Sequence, residues 1–177
     1  MKALAFVASA FLSAVAFSQT RGSFLDVDGV SDITVNSLGD GLSYQVVLGA
    51  NPTFTYNSVV YTITDLIGFY ALSNDVDVNA TASNQGVWTA NIKNSGTGGI
   101  AGWKTNPNSG LTPGQSYTFV YDSLDTSTVD ELGFDVRING TFPGTTGNTG
   151  HIAVVPEPAA FAALSIGLIA LRRKRKA

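Results

Sequence analysis

A period of two in hydrophobicity constrains this chain more than any other feature. Between residues 43 and 139 apolar side chains recur at alternate positions, and no stretch keeps the 3.6-residue period of an amphipathic helix. Tyr44, Val46 and Leu48 alternate with Ser43, Gln45 and Val47, and Val59, Tyr61 and Ile63 with Val60, Thr62 and Thr64. Trp88, Ala90 and Ile92 face away from Thr89, Asn91 and Lys93. Tyr117, Phe119 and Tyr121 oppose Thr118, Val120 and Asp122, and Phe134, Val136 and Ile138 oppose Asp135, Arg137 and Asn139. Successive side chains on a strand point to opposite faces, so each apolar set would line one face of a half-buried strand. Weaker runs lie at Leu25–Asp28, Ile33–Asn36, Ile67–Leu72, Asp75–Ala80 and Gly150–Val155. Gly39-Asp40-Gly41, Asn51-Pro52, Asn94–Gly99, Asn106–Gly110, Pro113-Gly114 and Pro143–Gly150 supply the turns between them. The pattern predicts an all-β fold: a single β-sandwich or jelly-roll-like domain of about nine or ten short antiparallel strands.

The two ends break this pattern. Lys2 precedes an almost unbroken apolar run, Ala3–Phe17, and Ala16-Phe17-Ser18 puts small residues at −3 and −1 of a cleavage between Ser18 and Gln19. These are the marks of a secretory signal peptide over residues 1–18. At the other end Val155-Pro156-Glu157-Pro158 is followed by an uncharged stretch, Ala159–Leu171, and then by Arg172, Arg173, Lys174, Arg175 and Lys176. Prolines flanking a glutamate break both helix and central strand. As a helix the uncharged stretch would extend about 20 Å, a short span for a hydrocarbon core of about 30 Å. The basic cluster would stay on the cytoplasmic side by the positive-inside rule.

This tripartite tail resembles the PEP-CTERM sorting domain, a region also known as the ice-binding-protein C-terminal domain, a label that implies no ice binding here. The Pro-Glu-Pro box, the short hydrophobic helix containing Ile166-Gly167-Leu168 and the arginine-rich end occur in the expected order. The resemblance implies recognition by an exosortase, cleavage near the box, and delivery to the surface of a bacterium that makes exopolysaccharide, often in biofilms. It implies nothing about the body. The chain thus divides into a signal peptide (1–18), a β-sandwich domain (19–153) and a sorting signal (154–177). The partners expected are the secretion machinery, an exosortase, the inner membrane transiently through the 159–171 helix, and exopolysaccharide.

Charge narrows what the exported body can meet. Between Gln19 and Glu157 only Arg21, Lys93, Lys104 and Arg137 are basic, against all 13 acidic residues, a net charge of 4 − 13 = −9. Such a surface lacks the basic footprint of a nucleic-acid binder. The absence of cysteine removes thiol nucleophiles, cysteine-based zinc sites and iron–sulfur clusters.

Candidate sites within the body are sparse. Asp75, Asp77 and Asn79 alternate and offer oxygen ligands suited to Ca²⁺, but Ala80 and Gly86 stand where an EF-hand loop needs glycine and glutamate. Their plainer role is the solvent face of a strand whose Val76, Val78 and Ala80 point inward. Trp103 follows a glycine-rich segment, Gly96–Gly102, and is either a packing anchor or a platform for stacking on a sugar. Trp88, in phase with Ala90 and Ile92, belongs to the core. His151 is the only histidine, no Gly-x-Ser-x-Gly elbow accompanies it, and it reads as a bystander on the last strand. The adjacent pair Asp130 and Glu131 would point to opposite faces of a strand and could not cooperate as a glycosidase pair. No catalytic residue and no cofactor is therefore expected. The chain reads as a non-enzymatic surface or extracellular-matrix protein, with a carbohydrate-binding module, calcium-assisted through Asp75, Asp77 and Asn79, as the alternative and a small secreted hydrolase as the third class.

Overall fold

The structure is a computed structural model that describes residues 24–154, and among these it is all-β. The expected signal peptide, with its Ser18–Gln19 cleavage, falls outside the described residues. So do the Val155–Pro158 box, the helix expected over 159–171 and the basic cluster.

Eleven strands follow one another: β1 (Phe24–Asp26), β2 (Gly29–Ser37), β3 (Ser43–Tyr56), β4 (Val59–Ser73), β5 (Ala80–Thr81), β6 (Thr89–Asn94), β7 (Gly99–Lys104), β8 (Ser116–Val120), β9 (Ser123–Leu124), β10 (Glu131–Ile138) and β11 (Thr149–Val154). One 3₁₀ turn, Thr126–Thr128, precedes β10, with the Asp125 carboxylate accepting from the Ser127 amide at its start. Nine strands form one hydrogen-bonded sheet along the path β1-β11-β10-β4-β3-β2, with β7 joining β4 to β6 and β8 pairing with β3. β5 and β9 form a separate two-stranded ribbon. The path begins and ends on consecutive backbone, because only Val27 and Asp28 separate β1 from β2. The sheet therefore wraps around its core.

Two features depart from the expected set of short antiparallel strands. β3 and β4 have 14 and 15 residues, long enough to serve both halves of the wrapped sheet. β1 runs parallel to β11, pairing Phe24 with His151 and Asp26 with Ala153. Pro52 also lies within β3 rather than in a turn. The β2–β3 register breaks between Ser31 and Ile33, opposite this stretch, so the ladder does not require the missing proline N–H. The reversal comes five residues later, at Asn57 and Ser58, whose φ values of 49° and 63° are those of a type I′ hairpin turn.

The inner face closes on aromatic rings. Phe119 of β8 lies 5.2 Å from both Phe69 of β4 and Trp103 of β7, and packs edge-on against Trp88 at 4.9 Å. Val46, Leu48, Phe54, Ile63, Phe134, Val136, Ile138 and Ile152 belong to the same buried cluster. Burying each such side chain contributes roughly 1.5–3 kcal/mol, which explains how the body folds without a disulfide.

The free edges are guarded. On β8, Gln85 donates from Nε2 to the Val120 carbonyl at 2.6 Å, occupying a backbone group that another strand would use. On β2, Asp32 sits at a bulge with φ 64° and accepts from the Asn51 amide at 2.8 Å. An edge bulge carrying a charge opposes pairing with a neighbouring chain.

Candidate functional site

The strand that leads into the tail is fixed on both sides. β11 pairs antiparallel with β10 from Thr149↔Arg137 to Val154↔Leu132, and parallel with β1 on its other edge. Ile152 is buried in the aromatic cluster, so the strand is pinned from the inner face as well. The described part of β11 runs to Val154, and the next four residues in the sequence are the Val-Pro-Glu-Pro box.

On the outer face the cross-strand register brings Asp135, His151 and Phe24 into one row. His151 Nδ1 contacts Asp135 Oδ1, and the Tyr70 hydroxyl donates to Asp135 Oδ2 at 2.8 Å. The Phe24 ring lies 5.6 Å from Tyr70, edge-on, and 5.3 Å from His151. Both carboxylate oxygens of the nearly buried Asp135 are thereby satisfied, as burial of a charged group requires. The hydrogen bond to Asp135 raises the His151 imidazole above its ordinary value against the opposing effect of burial, with nearby Lys93 acting in the same direction as burial. Burial, then the neighbouring Asp135 carboxylate, push the Tyr70 phenol well up, so it stays protonated and donates to Asp135.

Glycines make room for these rings. A Cβ on Gly68 would stand 2.8 Å from Tyr70 Cε2 and 2.9 Å from Asp135 Cβ, and one on Gly133 would stand 2.6 Å from Phe24 Cε1. The rings lie on strand positions left bare, a cross-strand arrangement that covers the backbone.

All three Lys and Arg residues within 24–154 share this outer face. Directly paired residues lie on one side of a sheet, and the ladder links Lys104 to Gly68 and Thr89, Gly68 to Asp135, and Lys93 to Ile100. Arg137 is engaged, its Nε donating to Asp65 Oδ2 at 2.7 Å. Lys93 and Lys104 form no ion pair with another described residue. Asp28, Asp40, Asp75, Asp77, Asp122 and Asp125 all fall outside the strands. The lysines of the described residues are therefore on the outer face, and more than half of the described acidic residues lie outside the strands.

The residues singled out from the sequence fare differently. Trp103 is fully buried in β7, its Nε1 donating to the Ser83 carbonyl at 2.8 Å, so its ring is not available as a sugar platform. It lies in a strand that pairs with β4 along Gly99–Lys104, and Gly102 lets the backbones approach closely, since a Cβ there would meet the Phe69 carbonyl. Trp88 is core, as its phase implied. Asp75, Asp77 and Asn79 do not line a strand face, since residues 74–79 belong to no strand. Asn94 holds this segment instead, bonding both the amide and the carbonyl of buried Val78 at 3.1 Å, while Val76 is exposed. Asp77 accepts from the Gly96 amide at 2.6 Å. Asp130 and Glu131 do converge, both on Asn74, because Asp130 precedes the strand and escapes its alternation. The Asp135–His151–Tyr70 network was not foreseen. Alternation places each residue on the polar face of its strand, but only the register sets them side by side.

No curated protein and no solved structure matches the chain. Residues 154–176 match the family model of the PEP-CTERM protein-sorting motif. The match begins on the last residue of β11 and covers the box, the uncharged stretch and the basic cluster. The chain is therefore an all-β body that ends directly in a PEP-CTERM protein-sorting motif, the mark of an exported protein handled by an exosortase.

Proposed function

We propose that this chain is a non-enzymatic protein of the cell surface or extracellular matrix, whose body associates with exopolysaccharide after its tail has been processed. The sorting motif that follows directly on the last described strand of an all-β body carries this reading. In it, residues 1–18 are removed on export, residues 19–153 form the delivered domain, and residues 154–177 hold the chain at the inner membrane until the box is cut.

The surface best suited to a polymer is the outer face bearing Lys93, Lys104, Asn91 and Thr89. It is a strand surface of β6 and the end of β7 on which Thr89, Lys93 and Lys104 are exposed, so cations and hydrogen-bonding groups share one face. Trp103 has no part in this reading. The calcium-assisted module loses its aromatic platform with the burial of that residue, and no observation favours hydrolysis.

Fractionation of the native host with intact-mass analysis tests the sorting half. A surface or medium form lacking residues 1–18 and the region beyond the box is expected. Unchanged location after deletion of residues 156–177 would refute it. Co-sedimentation of the body with the host's exopolysaccharide tests the other half, with loss expected for Lys93→Glu/Lys104→Glu.

A further inference from the structure

We infer that Asn139 is a self-modifying residue: the Gly140 backbone nitrogen attacks its side-chain carboxamide, and the chain acquires aspartate or isoaspartate at this position. The inference stands apart from the sorting reading. In the first step the Gly140 nitrogen gives up its proton and bonds to Asn139 Cγ, the Cγ–Nδ2 bond breaks, and ammonia leaves. Water then opens the cyclic imide on one of two sides. Opening at Cγ gives aspartate in an unaltered backbone. Opening at the main-chain carbonyl carbon gives isoaspartate, in which the backbone runs through the side chain and is one methylene longer. Water is the sole co-reactant.

Three conditions meet at this position. Asn139 is the one asparagine in the chain followed by glycine, whose nitrogen has no side chain beside it to crowd the approach. Asn51 and Asn106 precede prolines, which have no N–H to lose. Asn139, Gly140 and Thr141 are all exposed, and a Cβ on Gly140 would meet nothing within 4 Å, so no neighbour blocks the bend. The segment is also tied on either side of the reacting bond but not at it. The Asn139 amide donates to the Thr62 carbonyl at 3.1 Å, and the next tie is the Phe142 amide, which donates to the Gly147 carbonyl at 2.8 Å. Between them the Gly140 amide donates to no described residue, and its φ of 106° is one that glycine adopts readily. Other asparagines are held. Asn94 bonds both polar backbone groups of Val78, and Asn84 accepts from the Ala90 amide. The Ala80 amide that would attack Asn79 donates to the Val78 carbonyl. The site also bears on the fold, because buried Phe142 packs 5.8 Å from Phe54. A methylene added at 139 falls between the tie to β4 and this anchor.

The test ages the purified full-length chain in mildly alkaline buffer and maps its peptides by mass, with isoaspartyl methyltransferase labelling to separate the two products. A synthetic peptide of residues 136–144 is aged beside it. Conversion at Asn139 should outrun conversion at Asn57, which is also exposed but precedes a serine, several-fold. Isoaspartate should form alongside aspartate, as only the cyclic imide yields it. The folded chain should convert at a rate within several-fold of the peptide. Gly140→Ala should slow conversion several-fold in both, and in the peptide there is no fold for the alanine to disturb. An Asn139 that stays intact in the folded chain while the peptide converts overturns the inference. So does faster conversion at another asparagine, aspartate formed without isoaspartate, or a peptide rate unchanged by Gly140→Ala.

Discussion

The two faces of the sheet formed by β6, β7, β4, β10, β11 and β1 are held by different chemistry. The inner face is a volume-filling aromatic cluster in which Phe69, Trp88, Trp103, Phe119 and Phe134 meet ring to ring. The outer face combines bare glycine positions, a small apolar cluster of Tyr70, Leu72, Ile100 and Ala153 with Phe24 against it, and the satisfied carboxylates of Asp135 and Asp65. Packing inside tolerates no lost volume, whereas the outer arrangement depends on register and hydrogen bonding. The first chemistry determines whether the body folds. The second determines how the strand leading to the tail is held.

The sharpest break in this comparison is Trp103→Ala, which removes a fully buried ring and its bond to the Ser83 carbonyl. It should cost about 3–5 kcal/mol in chemical denaturation. Next is Gly102→Ala, whose new methyl group would collide with the Phe69 carbonyl and should cost about 1–3 kcal/mol by overpacking. Tyr70→Phe keeps the ring and removes only the donor to Asp135, so about 1 kcal/mol is expected from the same measurement.

A subtler contrast comes from pH. The folded state holds the His151 proton more tightly than the unfolded chain, so the stabilisation is complete below the ordinary value of 6.5 and is lost as pH rises through the higher folded value. The unfolding midpoint should therefore fall as pH rises from about 6 into the alkaline range, a fall that His151→Gln should abolish. The lowered values of Asp40 and Asp125, each set first by a serine side-chain hydrogen bond, act on the acid side instead. Their stabilisation is present above the ordinary carboxylate value and lost as pH falls through the lower folded one. The smallest effect on stability is expected for Lys93→Glu/Lys104→Glu, within about 0.5 kcal/mol per site, since both side chains are exposed and form no ion pair with another described residue. Loss of polymer association at unchanged stability would separate binding from folding on this face.

Much of the inner face was legible from alternation. Val46, Leu48, Phe119, Tyr121, Phe134, Val136 and Ile138 are all buried as their phase requires. The same rule failed at Val59, placed beside the hairpin reversal and half exposed. It failed again at residues 74–79, where Asn94 substitutes for a strand partner. Asn51-Pro52 looked like a turn because proline cannot donate to a ladder, but the bulge at Asp32 leaves no such donor needed. The network at the exit strand had no sequence signature, since Asp135 and His151 are 16 residues apart and Tyr70 is 65 from Asp135.

The sequence by itself determined the all-β class, the acidic character of the body and the sorting motif at its end. These depend on residue type and near spacing: two-residue alternation, an excess of carboxylates, and a contiguous box, apolar stretch and basic cluster. The tertiary structure alone decided that Trp103 is core, that the lysines of the described residues share one face, and that His151 ties the last strand to Asp135. Each of these depends on which strands pair and in what register, and register arises from packing between residues distant in the chain.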